Sequence, residues 1–111
     1  MSNLFLSYNV GSSSNLAGLN QLITLYDPLI VFIQEVTITT EQLLTQVNSN
    51  FSGLSNIDEN EPGKPGTAVL WRKELEVVVT NIVTLRLQLV KSANYGNFVN
   101  IYAPTGSQGE H

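Results

Sequence analysis

The sequence predicts an α/β fold: a mixed β-sheet with flanking helices. Three observations lead there: short unbroken apolar runs at Leu4–Val10 and Leu29–Ile33, a helical apolar spacing between them, and strand-like segments through most of residues 67–103. Charged residues make up 13% of the chain, about half of the usual ~25%, and 42% of residues are hydrophobic, a balance that favours buried strands over disorder. Its 111 residues suffice for one core.

Leu4–Val10 is short, apolar and aromatic, as a buried strand would be, and Gly11-Ser12-Ser13-Ser14 breaks it and offers helix caps. Leu19, Leu22, Ile23 and Tyr26 then fall at the three-and-four spacing of one helical face, which Asp27-Pro28 ends. Leu29–Ile33 is continuously apolar, as expected of a strand covered on both faces. Strand, helix, strand implies a parallel crossover, so Asn9 and Glu35 should emerge at the same edge of the sheet.

Thr39-Thr40-Glu41-Gln42 has the form of a capping box and opens a second, short helix with Leu43, Leu44 and Val47 on its apolar face. Ser55–Pro65 is polar, acidic and rich in Gly and Pro, which predicts an exposed loop. Strands are expected over Thr67–Trp71, Leu75–Thr80, Ile82–Val90 and Asn97–Ala103, with turns at Arg72-Lys73-Glu74 and Asn94-Tyr95-Gly96-Asn97, so that the second half is mostly antiparallel. With no internal repeat, residues 1–111 read as one continuous α/β layer.

Three apolar strands finish in residues able to bind a cation or a phosphate, namely Asn9, Glu35 and Tyr102, and ligand sites favour such strand ends. Glu35 is the natural anchor for a hard cation such as Mg²⁺, which prefers oxygen ligands. The blander alternatives are a surface carboxylate for Glu35, a turn asparagine for Asn9 and core packing for Tyr102. Asn100 lies two residues before Tyr102 on the same strand face and is expected to brace it as a second substrate-binding residue.

A formal charge of −4 and five scattered basic residues, Lys64, Arg72, Lys73, Arg86 and Lys91, give no electrostatic footprint for nucleic acid. The absence of cysteine excludes disulfides and thiolate metal sites. No leader and no apolar run of ~18 residues is present, so a soluble intracellular protein without a membrane partner is expected. Gly63-Lys64-Pro65-Gly66 lacks the spacing of a phosphate loop, Asp58, Glu59 and Glu61 fail the calcium-loop template, and Trp71-Arg72 reads as packing at a strand end.

Leu6-Ser7-Tyr8-Asn9-Val10, Gln34-Glu35, Gly66-Thr67-Ala68-Val69-Leu70 and Asn100-Ile101-Tyr102-Ala103-Pro104 occur in an order and wording that resemble the endonuclease/exonuclease/phosphatase family over nearly the whole chain. Tyr-Ala-Pro and Leu70-Trp71-Arg72-Lys73 lean toward the endonucleases of non-LTR retrotransposons. The resemblance implies half of a four-layer α/β sandwich that cuts phosphodiester bonds of DNA with Mg²⁺ or Mn²⁺. It implies that Glu35 holds the metal, that Asn9 supports the metal and water network, and that Tyr102 contacts the scissile phosphate with Asn100 beside it. Gly11 stands where some members carry an acidic metal-site residue. Members of this kind also carry, downstream of the tyrosine block, an Asp-x-Asn and a closing Ser-Asp-His segment; neither follows Tyr102 here, and His111 lies too close to that block to take the histidine's role.

The expectation is therefore an N-terminal part of a metal-dependent endonuclease, inactive alone, with the base that activates water in an absent half. Two alternatives stand beside it: a phosphatase or RNase of the same family, and a non-catalytic α/β interaction module that pairs its uncovered sheet with a second copy or with the missing half.

Overall fold

The computed structural model describes residues 4–11, 16–61 and 63–103. Strands β1 (Phe5–Asn9), β2 (Ile30–Val36), β3 (Phe51–Asn56) and β4 (Gly66–Arg72) form one sheet in the order β1-β2-β4-β3. Strands β5 (Val77–Ile82), β6 (Leu87–Ser92) and β7 (Gly96–Ile101) form a second, antiparallel sheet in sequence order. The mixed α/β class holds, and the single continuous layer is corrected to two sheets facing each other.

Period-two alternation along the central strands explains the layering. Val31 and Ile33 of β2 and Ala68 and Leu70 of β4 point to one face, where they pack against Leu19 and Ile23 of helix α1 (Ala17–Tyr26) and Leu43 of helix α2 (Thr40–Gln46). The intervening Ile30, Phe32, Val69 and Trp71 point the other way and meet Val77, Val79, Val90 and Phe98 of the second sheet. Both faces of β2 and β4 are thus covered, which accounts for their unbroken apolar runs. Trp71 is packing, as expected, and Arg72 is held by Asp27 at 2.9 Å.

The crossover is as the sequence implies: β1 and β2 are parallel, with Asn9 opposite Gln34. Helix α1 stops at Asp27, which adopts a left-handed cap at φ 48°. Helix α2 starts with the expected capping box, the Gln42 N–H donating to Thr39 Oγ1 at 3.2 Å and the Thr39 N–H to Gln42 Oε1 at 2.9 Å.

Four expectations change. Strand β1 is an edge strand of alternating exposure, because only β2 pairs with it. The cap of α1 is Leu16, without a side-chain bond, and the serines 12–14 lie outside the described residues. Residues 51–56, two of them buried at the start of the expected loop, form β3, whose Gly and Ser content hid a strand stabilised by pairing with β4. Finally, the run Ile82–Val90 is broken by a 3₁₀ turn at Val83–Leu85, where Arg86 at φ 52° reverses the chain and makes β5 and β6 a hairpin.

Gly66 sits where β3 and β4 approach most closely, and a β-carbon there would overlap the Asn56 carbonyl oxygen. Gly66→Ala is expected to destabilise the protein by about 3 kcal/mol, since the clash is with backbone that cannot swing away. Urea denaturation checks this.

Candidate metal and phosphate site

The free ends of β1, β2 and β7 converge on a cleft of about 500 Å³ lined by Asn9, Gln34, Glu35, Asn100 and Tyr102 together with Ser7. Asn9 and Tyr102, 93 positions apart, thus line one concavity. Parallel pairing of β1 and β2 delivers Asn9 and Glu35, and the packing of the second sheet on the first delivers Tyr102. An aromatic chain fixes that packing near the cleft, with Phe98 of β7 at 5.1 Å from Phe5 and 5.3 Å from Phe32 between ring centroids.

Glu35 occupies an unusual position. The pairing of β2 with β4 shifts register between Gln34 and Val36, so Glu35 is the extra residue of a β-bulge. Its φ is 62°, in the left-handed region that glycine tolerates and a side chain with a β-carbon does not favour. Bulges of this kind re-aim a side chain, and here a half-buried carboxylate is turned into the cleft mouth. Among the described residues Glu35 offers the one carboxylate in the cleft lining.

Asn9 closes a local turn. Its Oδ1 accepts the Gly11 N–H at 3.0 Å, and Gly11 takes φ 81°, which a glycine supplies freely. The turn reading of Asn9 is therefore met, and it fixes the amide at the cleft edge with one Oδ1 lone pair and the Nδ2 group still to use. Tyr102 is anchored through its backbone, its N–H donating to the Arg86 carbonyl at 3.1 Å. Its ring lies under the Arg86 guanidinium, 6.0 Å from ring centroid to Cζ.

Asn100 differs most from expectation. It is buried, and its amide is consumed inside the sandwich: Nδ2 reaches Ala68 O at 2.9 Å, Ile33 O at 3.2 Å and Gln88 Oε1 at 3.2 Å, while Oδ1 accepts Gln34 Nε2 at 3.1 Å. Its Nδ2 is committed inside the sandwich, and its Oδ1 bears on the cleft through Gln34. That Gln34 amide also donates to Ser7 Oγ at 3.1 Å and Phe32 O at 3.2 Å, which clamps the backbone immediately before the strained Glu35.

The amides continue as a cross-strand row. Asn81, Gln88 and Asn100 are direct partners across β5, β6 and β7, one level below the apolar row Val79, Val90 and Phe98. Gln88 Nε2 donates to Asn81 Oδ1 and to Leu54 O, both at 3.0 Å, and Asn81 Nδ2 to Ser55 O at 3.0 Å. Sequence reasoning missed Gln34, Gln88 and Asn81 as a unit. The signal was present as polar residues at the inward positions of otherwise apolar alternating strands.

The donor set suits a hard cation in part. One carboxylate and amide oxygens are chemistry that Mg²⁺ or Mn²⁺ accepts when waters complete its shell. Among the described residues no group of three or more His, Cys, Asp or Glu converges, and the cleft lining contains no lysine or arginine. Asp58-Glu59-Asn60 spells Asp-x-Asn, but it lies in the loop after β3, where Asp58 Oδ1 accepts the Asn60 N–H at 3.0 Å. Lys64 nearby is paired with Glu61 at 3.0 Å. Residues 104–111, His111 with them, lie outside the described residues.

Comparison with known proteins agrees with this architecture. The structure superposes on AP endonuclease LMAP from Leishmania major with a TM-score of 0.70 at 15% identity, over 93% of this chain and 40% of that one. It superposes on D. rerio TDP2 complexed with single strand DNA product with a TM-score of 0.59 at 22% identity, over 85% of this chain and 42% of that one. The chain therefore spans about two fifths of the length of these structures. No curated protein sequence matches it. Residues 6–103 match the Endonuclease/Exonuclease/phosphatase family, and with that match covering both sheets and the whole described cleft, the chain belongs to this family.

Proposed function

We propose that the cleft is the metal-holding part of a phosphodiesterase site acting on DNA, of the non-LTR retrotransposon endonuclease type. The observation that carries this is the strained Glu35 at a β-bulge, whose carboxylate shares one cleft with Asn9 and Tyr102. The single-stranded DNA product held by the structurally similar TDP2 supports the substrate class. The Tyr102-Ala103-Pro104 wording supports the retrotransposon type.

Glu35 would hold Mg²⁺ or Mn²⁺, with the Asn9 amide steadying its water shell. When bound, such an ion supplies the positive charge that offsets the negative charge developing on the phosphate. Tyr102 donates its phenolic hydrogen to a phosphate oxygen and fixes the phosphate for attack. Gln34, Asn100 and Gln88 keep the bulge from relaxing. We place the group that deprotonates the attacking water outside residues 1–111, so the chain alone should not nick supercoiled DNA. Metal-dependent nicking that disappears in Glu35→Ala would overturn that statement.

Exposed Val78, Val99 and Ile101 on the outer face of the second sheet support a covering partner, either a second copy or further chain of a longer protein. Among the described residues no helix is long and apolar enough to cross a membrane. A soluble, intracellular setting completes the proposal.

Binding tests the reading. A short single-stranded oligonucleotide should bind in the presence of Mn²⁺, and Tyr102→Phe should weaken it about tenfold, the value of one hydrogen bond to a charged group. An affinity indifferent to both Tyr102→Phe and Glu35→Gln would place binding elsewhere and sink the proposal.

A further inference from the structure

Arg86 is the residue for which the cleft as described has no use. It caps the 3₁₀ turn Val83–Leu85 at φ 52°, a conformation natural to glycine or asparagine and strained for arginine. Its backbone serves the turn, the N–H donating to Val83 O and the carbonyl accepting the Tyr102 N–H, both at 3.1 Å. Any residue could make those bonds, so the turn does not explain an arginine side chain.

That side chain leans over the Tyr102 ring at 6.0 Å, the outer limit of a cation–π contact. Among the described residues the ion pairs formed are those of Lys64 and Arg72, and no carboxylate pairs with Arg86. A planar, permanently charged fork without an anion, set beside a tyrosine that lines the cleft, suits a phosphate or a carboxylate, and on the phosphodiester reading of the cleft the group at hand is a phosphate. In a chain of formal charge −4, with no lysine or arginine in the cleft lining, it is also the cation placed to receive one. Arg86 borders a second hollow of about 180 Å³ that Asp58, Glu61 and Lys64 also line, Lys64 being paired with Glu61 at 3.0 Å. With Glu61 paired, the Asp58 carboxylate is left to disfavour an anion in that hollow, which favours the Tyr102 side of the guanidinium.

We propose that Arg86 binds the neighbouring phosphate of the same nucleotide strand, one position along from the phosphate contacted by Tyr102. This rests on the phosphodiester reading of the cleft and adds a second subsite to it. Arg86 thereby favours a polynucleotide over an isolated phosphomonoester, because only the former carries a phosphate at both places.

The test compares thymidine 5′-monophosphate with the 5′-phosphorylated thymidine dinucleotide, titrated calorimetrically into the 111-residue chain with Mn²⁺ present. The dinucleotide should bind about tenfold or more tightly than the mononucleotide, the value of one charge-assisted hydrogen bond. In Arg86→Gln and in Arg86→Gly that advantage should shrink to within about twofold, and Arg86→Lys should retain part of it. The glycine variant guards against misfolding, since glycine relieves the turn, and thermal denaturation confirms it. An advantage that persists in both variants overturns the Arg86 subsite and leaves the cleft reading intact. Mononucleotide binding that ignores Glu35→Gln and Tyr102→Phe, or no binding of either ligand, removes the cleft reading and the subsite with it.

Discussion

Replacing Glu35 by glycine is expected to abolish divalent-cation binding while making the protein slightly more stable. The carboxylate is the cleft's only anionic ligand among the described residues, so its removal leaves amides, which do not hold Mg²⁺ against water. The backbone at Glu35 has a φ of 62° in the extra position of a β-bulge. A β-carbon in that conformation costs about 1–3 kcal/mol, and the entropic penalty of glycine is about 0.5–1 kcal/mol, so the net gain should be about 1 kcal/mol. Glu35→Ala separates the two effects, because it loses the carboxylate and keeps the strain. Thermal denaturation with and without Mn²⁺ reads both quantities. The parent should gain stability from the ion through mass action and neither variant should. A glycine variant that loses stability by 2 kcal/mol or more, about the size of the strain itself, would mean that the bulge is not strained.

Asn100→Leu is expected to cost about 3–5 kcal/mol, the largest loss of any single substitution outside the apolar core. Four groups lose a partner together: the Ile33 and Ala68 carbonyls, Gln88 Oε1 and Gln34 Nε2. Those of Ile33, Ala68 and Gln88 belong to buried residues between two sheets, where a leucine offers them nothing, while Gln34 borders the cleft. Small domains hold about 5–15 kcal/mol in all, so the variant should be close to unfolding at room temperature. Urea denaturation measures the loss. A cost below about 1 kcal/mol would show that these bonds are replaceable, and the account of Gln34 as the clamp behind Glu35 would fall with it.

Much of the site was legible because chain direction does the work. Two parallel strands joined by a helix must end at the same sheet edge, and Asn9 and Glu35 do. The capping box at Thr39 and the helix stop at Asp27-Pro28 are local signals, which is why they read correctly, though the left-handed form of the stop did not show. The second sheet was not legible as a separate layer. Whether β4 continues into β5 within one sheet or turns onto another is set by packing, here Val69 and Trp71 against Val79, Val90 and Phe98. Strand β3 was hidden for a related reason, since Ser52, Gly53 and Ser55 have little strand preference and are recruited by β4. The bulge at Glu35 escapes any pattern in a single sequence, because it is a mismatch between β2 and β4 and belongs to neither alone. Asn100 looked like a ligand because it neighbours Tyr102. Strand alternation sends it inward, and only the opposing Gln34 and Gln88 show why an amide is tolerated there.

The proposed cation site is presented by the bulge of β2 and shared with β1 and the end of β7. Titration of Mn²⁺ into the uniformly ¹⁵N-labelled chain tests it most directly, because the ion broadens the signals of nearby amides according to distance. The account predicts saturable broadening centred on Glu35, with Asn9 and Tyr102 affected next and all of it lost in Glu35→Gln. Broadening centred instead on the acidic loop of Asp58, Glu59 and Glu61, or unchanged by Glu35→Gln, would contradict it.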